Sequence, residues 1–154
     1  MSLLLALLGA CLAGLLAAIC MTIFEIPFWR RWGIEGVAEW QVNAVIVSLL
    51  IRKFTPRSVV ASMSVAMHLL HGALLGIVFR LLLLGLLVTM ILSLSALSYA
   101  IVYSIVLWII SPLLTRALFE HSGGFRITRK GLAVSFLMHI VYGVFLGLLI
   151  PIIG

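Results

Sequence analysis

The strongest constraint on this chain is a run of about 22 residues, Leu3 to Phe24, without a single charge. About 20 predominantly apolar residues in a helix are enough to cross the hydrocarbon core of a bilayer, so this run predicts a membrane span. Three further runs follow: about Ser58 to Phe79 with Arg80 at its far end, about Leu86 to Leu113, and about Gly131 to Ile150. Leu81 to Leu114 is too long for one ordinary span, which predicts a turn near Leu83 to Gly85. Only 9% of the residues are charged and 65% are apolar, whereas a soluble domain carries about 25% charged residues. A small water-soluble fold could not hide that much apolar surface. The expected fold is an all-α integral membrane domain over residues 1–154, a bundle of four transmembrane helices in the cell membrane.

The charges predict how the bundle is oriented. Nine of the 10 Lys and Arg residues fall in two loops, Phe28–Arg57 and Thr115–Lys130, and the intervening turn holds only Arg80. Loops this short obey the positive-inside rule. They are expected to be cytoplasmic, with both termini non-cytoplasmic. Trp29, Trp32 and Trp40 in the first loop, and Trp108 near the end of the third run, suit an aromatic belt on that side. The net charge of +6 is therefore read as topology and anionic-lipid contact. No nucleic-acid partner is expected.

Smaller features refine this outline. Pro27, after Glu25, is expected to help end the first helix, because proline cannot donate a helical hydrogen bond. Within residues 34–51, the apolar stretch Ala44 to Ile51 with its flanks is short for a span. An interfacial amphipathic helix is expected there, with a re-entrant segment as the alternative. Cys11 and Cys20, nine residues apart on one helix, cannot bridge each other and read as small buried hydrophobes. Gly9, Ala13 and Ala17 form one line of small residues and Ala10, Gly14 and Ala18 the next. Ser93, Ala96, Ala100 and Ser104 form another in the third run. Such lines let helix backbones approach closely in lipid.

The chain also matches itself. Met67-His68-Leu69-Leu70-His71-Gly72 and the following residues to Gly76 resemble Met138-His139-Ile140-Val141-Tyr142-Gly143 and the residues to Gly147, at an offset of 71. Pro27 and Arg31 match Pro112 and Arg116 at an offset of 85. Two parallel-repeat helical hairpins are expected, repeat 1 over about 1–80 and repeat 2 over about 86–154. Counting from Arg57 and Lys130, His68 and His139 lie roughly 14–17 Å along their helices, near mid-bilayer.

Ionisable residues at that depth are functional candidates by default. His68 and His139 are the candidate ligands of a cofactor, and His71, Tyr142, Gly72 and Gly143 are their candidate surroundings. The glycines serve close helix contact, and they would equally clear room for a macrocycle. The His-xxx-Gly segment is similar to one piece of the haem-binding anchor subunits of respiratory complexes, over a small fraction of the chain and without a second motif of that family. That resemblance implies a haem b between His68 and His139. His121, beside Gly123-Gly124, reads as a solvated loop residue.

P-loop, GxSxG and zinc-type Cys/His spacings are missing from the sequence, and no catalytic or metal-ligating set is named. No acidic pair lies inside an expected span. Glu25, near Arg30 and Arg31, reads as an interfacial ion pair. The expected role is a small accessory or structural subunit of a larger membrane complex, without catalytic activity of its own. It would have the lipid bilayer and other membrane subunits, or further copies of itself, as partners. A haem-carrying electron-transfer subunit and a small oligomeric channel or transporter are the alternatives.

Overall fold

The computed structural model describes residues 2–50, 57–89, 95–119 and 128–153, and every element in them is helical. Helix α1 spans Leu3–Trp32, α2 Ala38–Leu50, α3 Arg57–Thr89, α4 Ala96–Phe119 and α5 Arg129–Ile153, with a 3₁₀ turn at Gly33–Gly36 joining α1 to α2. Three helical stretches are long and apolar enough to cross a membrane: Leu3–Trp32, Val59–Gly85 and Arg129–Ile153. A shorter apolar stretch in α4 covers Ala96–Ser111. The described residues are thus all helical, with three stretches of membrane-spanning length and apolarity.

Helix α1 is the centre of the bundle, flanked by α3 and α5, while α4 packs on α5 and α2 lies against α3. Both neighbours run antiparallel to α1. On α3, Gly72 meets Ala18 and Gly76 meets Ala10. On α5, Phe145 meets Phe24 and Lys130 lies over Trp32. α3 and α5 therefore run in the same direction.

On α1 the buried face is made mostly of small residues and the leucines face out. Ala10, Ala13, Ala17 and Ala18 of α1 are buried, while Leu4, Leu8 and Leu12 are exposed. In lipid there is no hydrophobic force pushing leucine inward, so helices associate through close backbone contact. Gly14 lies directly against the Gly72 carbonyl and the Gly76 backbone, leaving no room for a side chain at any of the three. On the other side of the bundle, Gly143 meets Ser104 and the Ala100 carbonyl, and Gly147 meets Leu97 and Ala100.

Helix ends follow local chemistry. The Ser2 hydroxyl accepts from the Leu5 amide, Ser95 from Ser98, and Thr128 from Gly131, each at a helix N-terminus. This is the capping pattern of short hydroxyl side chains. Gly33, with φ of 64°, sits in the left-handed region and closes α1 by donating to the Trp29 carbonyl.

Several boundaries differ from the sequence expectation. α1 does not stop near Pro27 but runs on to Trp32. Pro27 lies on the exposed face, as does Ile23, whose carbonyl loses its partner. No turn interrupts Leu83–Gly85: α3 continues to Thr89, because leucines on both sides are strong helix formers and one glycine costs only about 1 kcal/mol. α4 accordingly starts at Ala96, behind the Ser95 cap, rather than at Leu86. Cys11 and Cys20 are free thiols. Ser93, Arg52, Lys53, His121 and Gly123-Gly124 lie outside the described residues.

Candidate functional site

The line of small residues on the buried face of α1 continues at helical spacing through Ala17 and Met21 to Glu25, so the helix delivers a carboxylate into the bundle. Glu25 is fully buried, at 0% exposure. Its Oε2 accepts a 2.6 Å hydrogen bond from Trp40 Nε1–H of α2 and lies 3.9 Å from His68 Nε2 of α3. The expected ion pair with Arg30 and Arg31 is replaced by these partners. Arg31 instead stacks 5.5 Å from the centroid of the Trp32 ring.

A second carboxylate arrives from α2. Glu39 Oε1 lies 3.3 Å from His139 Nδ1 of α5 and accepts a hydrogen bond from the Ser135 hydroxyl. The same imidazole nitrogen lies 2.9 Å from the Ser135 carbonyl oxygen. A carbonyl only accepts, so His139 carries its proton on Nδ1. The carboxyl groups of Glu25 and Glu39 also face each other. No candidate span holds two acids, as expected, but Glu25 of α1 meets Glu39 of α2 inside the bundle.

The cluster borders a cavity of about 450 Å³. One face of α2, Glu39, Val42, Asn43 and Ile46, lines it, as do His68, His71 and Gly72 from α3 and His139 and Tyr142 from α5. Residues 39, 42, 43 and 46 share a helix face at the spacing i, i+3, i+4, i+7. The polar residues Glu39 and Asn43 of α2 therefore turn toward the cavity. At the cavity wall the bundle is tied by two tyrosines that donate to helix carbonyls, Tyr142 to Gly72 at 2.8 Å and Tyr103 to Leu75 at 3.0 Å.

His68, His71, Gly72, His139 and Tyr142 thus share one cavity, while Gly143 faces α4 instead. Three buried polar atoms of the cluster lack a hydrogen-bond partner: Glu25 Oε1, Glu39 Oε2 and His68 Nε2. The pair of histidines is not disposed to hold a haem. His68 Nε2 is aimed at the Glu25 carboxylate, where an iron would have to sit. The space beside Gly72 is filled by Ala18, and that beside Gly143 by Ser104. No group of three or more His, Cys, Asp and Glu side chains among the described residues is arranged to hold a metal ion.

Glu25, Glu39 and Trp40 are the site residues that sequence reasoning missed. The signal for Glu25 is in the sequence, since the Ala17–Met21–Glu25 line extends past the point where Pro27 suggests an end. Glu39 carries no comparable signal, because its burial depends on α2 folding back against α3 and α5.

No protein-family model matches the chain, and no curated protein or solved structure is significantly similar to it.

Proposed function

We propose that this chain is a proton-exchanging membrane protein of the small-transporter class, working at the Glu25–Glu39–His68–His139 cluster. One observation carries the reading: the buried Glu25 and His68 meet the largely buried Glu39 and His139, the last three residues lining a cavity, with polar atoms left unpartnered. Isolated charges in a low-dielectric interior are costly and persist when paired or functional. Four protonatable groups with overlapping partners can hold protons in several arrangements of equal net charge. A rigid structural bridge needs one pair and no cavity.

Four spans with both termini non-cytoplasmic belong to the same proposal, with α4 as the remaining span and the two basic loops on the cytoplasmic side. So does the duplicated hairpin, α1–α3 and α4–α5. Its support is that Gly72 seats on Gly14 and Ala18, and its counterpart Gly143 on Ala100 and Ser104. A subunit role within a larger assembly is compatible with this bundle, and co-purifying partners would reveal it.

Infrared difference spectra between mildly acidic and mildly alkaline pH test the proton site directly. We expect a buried protonated-carboxyl band that weakens in Glu25→Gln and in Glu39→Gln. A wild-type spectrum without any such band defeats the proposal. Proteoliposomes loaded with a pH-sensitive dye then read whether the released proton crosses the membrane.

A further inference from the structure

The cavity wall combines apolar side chains, Met21, Val42, Ile46, Leu75 and Leu107, with the polar Glu39, Asn43, His68 and His139. His68 is more than nine-tenths buried, it lines the cavity, and its Nε2 has no hydrogen-bond partner. Glu39 Oε2 likewise has none. A cavity of about 450 Å³ falls in the range of about 300–1,000 Å³ typical of small-molecule sites.

Charge neutrality selects the ligand. Glu25 from α1, Glu39 from α2, His68 from α3 and His139 from α5 together reach zero net charge with two bound protons. The other groups facing them, His71 of α3, Tyr142 of α5 and Tyr103 of α4, are neutral in their ordinary state near pH 7. Losing one proton leaves a net negative charge in a poorly solvated interior, and one bound cation restores neutrality. The apolar wall excludes a bare hydrated ion in favour of an organic body, and the unpartnered carboxylate oxygen asks for an N–H donor.

We propose that the cavity binds a small organic cation, a protonated amine, amidine or guanidine with an apolar body, in exchange for one proton of the cluster. This rests on the proton-exchange reading above. The proton displaced from the carboxylate–imidazole cluster passes to solvent, and the cation's N–H groups donate to Glu39 in its place.

The test is calorimetric titration of the full-length protein in detergent with benzamidine hydrochloride at mildly alkaline pH, with neutral benzamide as the isosteric control. We expect saturable binding of benzamidinium, and about one proton released per ligand when buffers of different ionisation enthalpy are compared. Affinity should weaken about tenfold for each unit of acidification where the exchanged proton is bound. Glu39→Gln should lose at least about tenfold in affinity, consistent with loss of a charge-assisted hydrogen bond. Leu107→Trp, on the α4 part of the cavity wall, should block binding by filling the cavity while leaving the carboxyl infrared band in place. Benzamide binding as tightly as benzamidinium, binding without proton release, or no saturable binding would each overturn the proposal. Absence of binding with the infrared band intact removes the cation alone, whereas loss of both removes the proton-exchange reading as well.

Discussion

Trp40 on α2 donates a 2.6 Å hydrogen bond through its indole N–H to Glu25 on α1, and so fastens a helix from the first loop to a carboxylate inside the bundle. This contact fixes where α2 sits, because the helix has only one short apolar face to hold it otherwise. It also satisfies one oxygen of a fully buried acid, whose other oxygen has no hydrogen-bond partner.

Removing the indole donor should therefore cost more than removing the charge. Trp40→Phe keeps an aromatic ring but leaves Glu25 Oε2 without its donor, for a loss of about 1–3 kcal/mol, the cost of stranding a buried acceptor. Glu25→Gln retains an acceptor for the indole and should destabilise less. Trp29→Phe, at an exposed ring that touches Trp40, serves as the control and should change stability by no more than about 0.5 kcal/mol. Reversible unfolding in mixed micelles orders the three variants. A Trp40→Phe protein as stable as Trp29→Phe would show that the contact does not hold α2.

How much of this arrangement can be read from the chain depends on how local its causes are. Apolar runs and small-residue lines announce α1, α3 and α5, because lipid demands length and close packing within each segment. The helix ends depart from expectation where a local breaker is outvoted. Pro27 has its open carbonyl on the exposed face, and Gly85 is surrounded by leucines that keep the helix going. The histidines are legible because a polar residue in an apolar run is conspicuous. Glu39 is not, since it lies in a polar loop sequence and is enclosed only by α2 folding onto the next helix, α3, and onto α5, which is distant in sequence.

The glycines separate into two kinds with opposite expected behaviour. At Gly72 an added methyl would run into Ala18 of the neighbouring helix, so Gly72→Ala should destabilise the bundle by about 1–3 kcal/mol, the usual cost of overpacking. Gly85 has nothing within reach of an added Cβ, and it lies inside α3. Gly85→Ala should stabilise by about 0.4–1 kcal/mol through the unfolded chain and helix propensity. Adding Ala18→Gly to Gly72→Ala should recover part of the loss by making room for the methyl. Failure of the second substitution to rescue the first would place the clash elsewhere.

Topology gives a third measurement. The nine-to-one distribution of basic residues between loops predicts that Gly36 lies on the cytoplasmic side and Ser2 opposite it. Single cysteines at these positions, in a background with Cys11 and Cys20 replaced by alanine, can be labelled in intact cells with a membrane-impermeant maleimide. Position 2 should react and position 36 should not, until the membrane is permeabilised. Labelling of position 36 from outside would invert the bundle and put the cavity's cluster on the other half of the bilayer.

The last expectation concerns the Glu39–His139 pair, 3.3 Å apart and drawn from helices α2 and α5. His139→Ala leaves Glu39 with the Ser135 hydroxyl as its remaining donor, in an interior that poorly solvates a lone carboxylate. Breaking one side of a buried ion pair typically costs about 3–5 kcal/mol, so His139→Ala should be among the most damaging single changes in the protein. The damage should come chiefly from the stranded acid and not from the lost ring. If so, Glu39→Gln in the same chain removes the charge and returns much of the stability, and His139→Gln, which can still donate to Glu39, falls between the extremes. A double-mutant cycle on unfolding free energies measures the coupling. A coupling near zero, with His139→Ala as damaging in the Glu39→Gln background as in the wild type, would assign His139 a packing role and remove α5 from the cluster.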